Sequence, residues 1–196
     1  MMRGSRSSDR QLQSAQIQFD SMCSIVPYHV SQCDGIIAVV QEVYREYGWT
    51  WEAHGYHRDL YDIEGAYLEQ GGMYWALVDG DRVVGCAGVT VHDRERPVHD
   101  PQGAGPLERD RDLKTAELHR LYLIKTARGK GWGYRLLNET VAYARAKGCR
   151  RMIAWSDFVL KEAHGLYVCN GFVQEGWRMC DDPDHSKEHG FWKEPL

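Results

Sequence analysis

A glycine-rich turn between a predicted strand and a predicted helix constrains this chain more than any other stretch. Residues 117–124 are bulky and alternate between two faces, a period typical of a β-strand. Residues 128–133 then contain three glycines, and apolar residues recurring over 137–144 predict a helix that ends near Gly148. The alternation predicts one strand face with Leu118, Arg120, Tyr122 and Ile124, and another with Glu117, His119, Leu121 and Leu123.

The turn combines features that favour an anionic ligand. Glycine tolerates left-handed backbone angles and lets a ligand approach closely, which we expect of Gly129, Gly131 and Gly133. The unpaired N–H groups and the dipole of a helix N-terminus favour phosphate. We expect Arg128 and Lys130 to add mobile positive charge at the rim. The spacing excludes two common nucleotide motifs, G-x-x-x-x-G-K-[ST] and G-x-G-x-x-G.

The remaining pattern, R-x-x-G-x-G over residues 128–133, resembles the pyrophosphate loop of the GCN5-related N-acetyltransferase (GNAT) superfamily, which binds acetyl-coenzyme A. Residues 163–172, AHGLYVCNGF, are similar to that family's A-x-x-L-Y-x-x-x-G-F segment. The resemblance covers residues 25–192. It implies the α/β GNAT (acyl-CoA N-acyltransferase) fold, a mixed central sheet with splayed parallel strands, flanked by helices.

Composition and length favour one domain in a reducing compartment. We expect residues 1–22, which are polar and aperiodic, to be a flexible leader, and residues 23–196 to form a single N-acetyltransferase domain. The net charge of -4 gives no support to a nucleic-acid partner. The six cysteines contain no C-x-x-C pair, and we find neither a secretory segment nor an apolar run long enough for a membrane. A cytoplasmic location follows as an expectation.

Periodicity and turn residues predict the remaining elements. Alternation predicts strands, and apolar spacing at helical period predicts helices. The predicted strands cover residues 25–28, 73–78, 82–91, 151–155, 172–179 and 190–192, and the predicted helices cover 34–47, 59–70 and 160–169. Residues 93–113, rich in proline, glycine and charge, are expected to form a surface loop.

The resemblance assigns the cofactor-binding residues by position. In the family, backbone groups at the end of the central strand pair with the pantetheine amides as an added strand would. This role falls to Leu121, Tyr122 and Leu123. The pyrophosphate is expected to contact Arg128, Gly129, Lys130, Gly131, Trp132, Gly133 and Tyr134.

Two residues match positions that carry the chemistry in the family. Tyr167 corresponds to the tyrosine near the coenzyme sulfur, where a phenol can protonate the departing thiolate. Glu117 lies at the position that some family members use for a general base. A base is needed because an alkylammonium, whose pKa is about 10.4, must lose a proton before it can attack. His119 is a second candidate base. The alternatives are that Tyr167 only packs in the core, that Glu117 is a surface carboxylate and that His119 has a structural role. Leu160 stands where the family often has an asparagine, and its side chain cannot form the cofactor hydrogen bond that the resemblance implies there.

Two further stretches lie where the family forms its acceptor pocket. The aromatic run at residues 49–57 either covers the core or lines the pocket. Asp181, Asp182 and Asp184 either attract a cationic amine or form a solvated turn. Cys180, His185 and His189 are too few ligands to predict zinc, so we expect no metal.

These assignments predict an acetyl-CoA-dependent N-acetyltransferase. We expect a primary amine of a small molecule or amino acid to attack the donor directly in a ternary complex, since no cysteine matches a family nucleophile. The alternatives are an acyl-CoA-binding sensor without turnover, a peptide or protein N-acetyltransferase, and an enzyme with a longer acyl donor. Dimers are frequent in the family, so a homodimer is one expectation.

Overall fold

Seven strands form one mixed sheet in the order β1-β2-β3-β4-β5-β7-β6. A computed structural model describes residues 23–93 and 113–196 of the chain. The predicted leader, and residues 94–112 of the loop predicted over 93–113, lie outside the described residues. The strands are β1 Cys23–Pro27, β2 Met73–Asp79, β3 Arg82–His92, β4 Thr115–Leu123, β5 Arg151–Asp157, β6 Val173–Met179 and β7 Lys187–Lys193. The predicted mixed α/β architecture is confirmed.

In the described part of the chain, three α-helices flank the sheet: α1 Cys33–Tyr47, α2 Trp132–Ala146 and α3 Lys161–Cys169. Their apolar faces are buried, as the spacing predicts; in α2 this face includes Leu136, Leu137 and Val141. The helix α1 ends at Gly48, whose φ of 72° is left-handed. Within the described residues, no helix has the length and apolarity that a membrane crossing requires.

The predicted helix over residues 59–70 is wrong. The chain instead forms a 3₁₀-helix at Arg58–Tyr61 and a π-helix at Glu64–Leu68. Asp62 separates them, with a φ of -146° that is not helical, and its Oδ1 accepts a hydrogen bond from the backbone N–H of Gly65 at 3.0 Å. An aspartate that bonds to the nearby backbone competes with the helical pattern, so apolar spacing alone misleads here.

The two central strands separate, as the GNAT resemblance predicts. Thr115–Leu118 of β4 pair in parallel with Arg151–Ala154 of β5. Beyond that point β4 continues to pair with β3, and β5 continues to pair with β7. The second half of each strand therefore has one edge that the other central strand does not cover.

A β-bulge in β4 overturns the predicted alternation. Gly88 pairs with His119 and Cys86 pairs with Tyr122, so β4 holds one more residue than β3 between these pairs. Arg120 lies in the bulge with a φ of 52°. After the extra residue, the side chains of β4 point to the opposite faces of the sheet from those that strict alternation predicts. Tyr122 therefore shares a face with His119, whereas the sequence pattern predicted opposite faces.

Arg120 anchors the bulge through a buried charge network. Its guanidinium donates to Asp59 through Nε (3.0 Å) and Nη2 (2.8 Å), and Nη2 also donates to the carbonyl of Tyr56 (2.8 Å). The hydroxyl of Tyr67 donates to Asp59 Oδ2 at 2.6 Å. Burial opposes ionisation of Asp59, but the charge and hydrogen bonds of Arg120 hold its pKa below the usual value. The network connects β4 to the segment before β2.

Replacing Asp59 with alanine should destabilise the fold by about 3–5 kcal/mol, because the Arg120 charge would remain buried without its partner. Urea unfolding followed by circular dichroism measures the loss. Asp81→Ala, at an exposed turn between β2 and β3, should change the free energy of unfolding by only about 0.5 kcal/mol. Equal effects of the two changes would contradict a structural role for the network.

Candidate active site

A groove of about 370 Å³ runs between the glycine turn, the end of β4 and the start of α3. Its walls are mainly apolar and include Val43 and Tyr47 of α1 and Leu166 of α3. Most of the residues predicted from the sequence to bind the cofactor line it: Leu121, Tyr122, Leu123, Arg128, Gly129, Gly131, Gly133 and Tyr134. We call this cavity the long groove.

The glycine turn opens onto the long groove with its backbone exposed. Gly129 and Gly131 have φ values of 74° and 82°, and a Cβ at either position would meet no atom within 4 Å. The first hydrogen bond inside α2 runs from the N–H of Arg135 to the carbonyl of Gly131 at 3.1 Å. The N–H groups of the three intervening residues consequently have no acceptor within the helix. They form a donor cluster suited to an anion.

One prediction about this turn is wrong. Gly133 does not adopt a left-handed angle, because the helix α2 has already begun at Trp132. The side chain of Trp132 is only 4% exposed and lies under the guanidinium of Arg135, at 4.5 Å from the ring centroid. Only the backbone of Trp132 is therefore available at the turn.

Arg128 is held in place, contrary to the prediction of a mobile charge. Its Nη1 and Nη2 donate to the two carboxylate oxygens of Glu46 at 2.8 and 2.7 Å, and its Nε donates to the carbonyl of Leu123 at 2.9 Å. The hydrogen bonds from Arg128 lower the pKa of Glu46. This pair joins the turn to α1 and to the end of β4.

A smaller cavity, of about 60 Å³, lies where β4 and β5 separate. One wall comes from residues 118–122 of β4 and another from residues 155–157 of β5. We call it the wedge cavity. It shares four lining residues with the long groove, which are Leu121, Tyr122, Leu160 and Ala163, so the two cavities meet there.

Tyr167 lines the wedge cavity from α3. The residue is 4% exposed and packs against Phe172 and Phe191, with ring centroids 5.6 and 5.1 Å away. Burial raises its pKa above the usual value, with smaller contributions from Tyr122 and Glu188. The phenol is therefore protonated at neutral pH and able to donate, while its ring also packs in the core.

Glu117 lies elsewhere, in a third cavity of about 180 Å³. Its Oε2 is 4.0 Å from Nε2 of His92. The hydroxyl of Thr90 bridges His92 and His119, at 3.0 and 2.9 Å. His119 lines both this cavity and the wedge cavity, and burial lowers its pKa. The structure thus places His119, but not Glu117, in the cavity that Tyr167 lines.

Sequence reasoning missed Glu188, a carboxylate in the wall of the wedge cavity. It is 8% exposed, and its Oε2 accepts a hydrogen bond from Nε of Arg178 at 2.7 Å. Burial raises its pKa and Arg178 opposes that shift. The signal was present: the alternation of the predicted strand at 190–192 extends back to Lys187, which places Glu188 on the face of Gly190.

Some residues of the aromatic run at 49–57 cover the core, and others line a cavity. His57 is fully buried and stacks on Trp51 with centroids 3.9 Å apart, and burial lowers its pKa to about 4. These two side chains cover the core. Trp49 and Tyr56 instead line the wedge cavity.

The acidic loop is partly structural. Asp184 accepts hydrogen bonds from the backbone N–H and the hydroxyl of Thr50, both at 2.7 Å, which joins the two loops beside the wedge cavity. Asp182 lines that cavity. Of the residues weighed for zinc, Cys180 donates to the hydroxyl of Tyr56 at 3.3 Å, and His189 stacks on Phe158 at 3.7 Å. The described part of the chain contains no cluster of three or more potential metal ligands.

Two polar atoms of residues in the wall of the wedge cavity have no hydrogen-bond partner among residues 23–93 and 113–196. They are Nε1 of Trp155 and Oγ of Ser156. Buried polar atoms are nearly always paired, with protein, water or ligand.

Comparisons with known proteins agree with this geometry. The model of the acetyltransferase (GNAT) family matches residues 36–172. N-acetyltransferase 8F1 of Rattus norvegicus is 29% identical over 121 residues, covering 62% of this chain and 48% of the relative. The chain thus spans about half the length of that relative.

Solved structures share the fold at low sequence identity. An acetyltransferase from Streptococcus agalactiae 2603 superimposes with a TM-score of 0.69 at 18% identity, covering 88% of this chain and 98% of that one. The yncA protein of Salmonella typhimurium, solved with its cofactor acetyl-CoA, has a TM-score of 0.63 at 16% identity, covering 88% and 94%. With a family model that matches most of its length, this chain belongs to the acetyltransferase (GNAT) family.

Proposed function

We propose that the protein transfers an acetyl group from acetyl-CoA to a primary amine of a small molecule or amino acid, by direct attack in a ternary complex. The observation that carries this proposal is the junction of the two cavities. The long groove leads from the donor cluster at the glycine turn to Tyr122 and Leu160, where the wedge cavity with Tyr167 begins.

The residues of the long groove fit the proposed donor. The unpaired N–H groups after Gly131 and the open space at Gly129 suit a diphosphate. The edge of β4 beyond Leu118 does not pair with β5, so its backbone at Leu121 and Tyr122 is placed to bond amides of an extended chain. The carbonyl of Leu123 already accepts a hydrogen bond from Arg128. The proposed contacts therefore centre on the turn backbone and the β4 edge.

The wedge cavity fits the proposed chemistry. Tyr167 is protonated and would donate a proton to the coenzyme sulfur as the carbon–sulfur bond breaks. The ammonium must first lose a proton to become a nucleophile. Two carboxylates can take it: Glu117 through water or through His119, and Glu188 directly. Which one acts depends on the cavity that the amine enters.

The acceptor is proposed to be a small cationic amine. The wedge cavity is small, and its wall carries three carboxylates, Asp157, Asp182 and Glu188. Their charge favours an ammonium group. Peptide and protein amino groups are the alternative acceptors, and a longer acyl donor is the alternative to acetyl-CoA.

A sensor that binds acyl-CoA without turnover is the second candidate function. The observation in its favour is that the family-register carboxylate, Glu117, does not line the cavity of Tyr167. We also propose a cytoplasmic location, which the free thiols of Cys33, Cys86, Cys149, Cys169 and Cys180 support. The homodimer stays a prediction.

The direct test combines calorimetry with an amine screen. Acetyl-CoA should bind saturably, and free thiol should appear when small amines, amino acids, antibiotics or peptides are added. Propionyl- and succinyl-CoA in the same assay test the donor. Binding without thiol release for every amine would support the sensor, and the absence of binding at millimolar acetyl-CoA would exclude both functions.

Gly131→Ala should weaken the binding of coenzyme A by about tenfold, since the methyl group would lie on the exposed turn and disfavour the left-handed angle. Calorimetry measures the affinity. Gly148→Ala is the matched control, because Gly148 ends the same helix with a φ of 77° and equally open surroundings. Equal losses in the two variants would point to helix destabilisation rather than to the turn.

Tyr167→Phe should lower kcat by about 10² or more and leave the affinity for coenzyme A unchanged, because only the proton donor is removed. Steady-state kinetics and calorimetry provide the two measurements. Tyr143→Phe, which loses hydrogen bonds to the carbonyls of Gly71 and Gly72 far from the groove, should retain kcat. An unchanged kcat in Tyr167→Phe would assign Tyr167 to packing alone.

A further inference from the structure

Three carboxylates line the wedge cavity, and only Glu188 has a free oxygen in a buried position. Asp157 Oδ1 accepts a hydrogen bond from the N–H of Val159 at 2.9 Å, and Asp182 Oδ1 accepts one from the N–H of Ser186 at 2.7 Å. Both aspartates thus hold turns. The side chain of Glu188 is 11% exposed and lies on a strand, where the sheet fixes its direction.

The sheet register places Glu188 at the open end of the splayed strands. Glu188 of β7 pairs with Asp157, the last residue of β5. Glu117 of β4 pairs with Ile153 of β5, in the closed part of the sheet where the two central strands still bond to each other. A ligand that enters between the separated strand ends therefore meets Glu188 without crossing the sheet.

Arg178 orients the Glu188 carboxylate. Its Nε donates to Oε2 at 2.7 Å, and its guanidinium lies 4.3 Å from the ring centroid of Trp155. Among residues 23–93 and 113–196, no group donates a hydrogen bond to Oε1. One oxygen is fixed by the ion pair, and the other is available to accept a proton.

The groups around Glu188 have opposing effects on its pKa. Burial raises the pKa most, Arg178 lowers it, and Asp182 and Glu117 raise it further. The ionisable groups that face it from the other elements are Cys180, Tyr56, Tyr122, Tyr167 and, across the β5–β7 pair, Asp157. A carboxylate whose pKa lies above the usual range is a stronger base than an exposed one.

We propose that Glu188 is the proton acceptor for the amine in the wedge cavity; this rests on the proposed acetyl transfer. Oε1 takes one proton from the ammonium, and the neutral nitrogen forms a bond to the thioester carbon. As the carbon–sulfur bond breaks, Tyr167 gives its proton to sulfur and regains one from the nitrogen. The amide keeps one of the three ammonium protons, the thiol receives one, and Glu188 releases one to solvent.

Glu188→Gln tests the proposal, because glutamine keeps an oxygen for Arg178 but cannot take the proton. With the most active amine of the panel, and at a temperature well below the thermal midpoint of the variant, kcat should fall by about 10² or more while the affinity for coenzyme A stays unchanged. Glu175→Gln is the matched control: this β6 glutamate accepts a hydrogen bond from Trp192 Nε1 at 3.3 Å and lines neither cavity, so kcat should persist.

The pH dependence of kcat separates proton transfer from substrate binding. In the wild type, kcat should fall as the pH falls through the raised pKa of Glu188, since the protonated carboxyl cannot accept a proton. This acid limb should be absent in Glu188→Gln. A variant with a raised KM but an unchanged kcat and acid limb would show that Glu188 only binds the ammonium, and would overturn the proposal.

Glu117→Gln completes the comparison. A smaller loss of kcat than in Glu188→Gln supports the assignment, and a larger loss would move the role to Glu117. If Glu188→Gln retains kcat while the wild type is active, the role of Glu188 is excluded and acetyl transfer stands. If none of the amines in the panel causes the wild type to release thiol, both the proposed function and the role of Glu188 are excluded.

Discussion

The separation of β4 from β5 after Leu118 and Ala154 is the constraint on which the rest of the site depends. Backbone N–H and carbonyl groups inside a protein require partners, so a sheet edge that opens inside the fold is suited to an extended ligand with amide groups. The glycine turn lies at one end of this edge and Tyr167 at the other. The opening therefore sets the direction in which an extended ligand can lie.

Three arginine–carboxylate pairs hold the walls of this opening. Arg120 and Asp59 fix the bulge of β4, Arg128 and Glu46 fix the glycine turn, and Arg178 and Glu188 lie in the wall of the wedge cavity. In the first two pairs the guanidinium bonds both oxygens of the carboxylate. Such a contact fixes the orientation of the two side chains in addition to pairing their charges. In the third pair, Arg178 bonds only one carboxylate oxygen of Glu188, Oε2.

Local patterns predicted most elements because their signals are local. The helix over 33–47 and the strand–turn–helix around Gly131 follow from apolar period and glycine placement. The same reasoning failed over residues 59–70, where the Asp62 carboxylate accepts a hydrogen bond from the backbone of Gly65 and interrupts the helix, and at Arg120, where one extra residue reverses the strand faces. Neither event changes the spacing of apolar residues, so periodicity cannot detect it.

The sequence by itself determined the family, and it singled out most residues of the long groove and Tyr167 of the wedge cavity, because these depend on short segments whose residues are contiguous. Only the tertiary structure decided that Glu117 and Tyr167 line different cavities, that Arg128 is paired with Glu46, and that Glu188 lines the same cavity as Tyr167. Those relations join residues far apart in the chain. They are set by strand order and register, which pair β5 with β7 rather than with β6, and no local spacing encodes that choice.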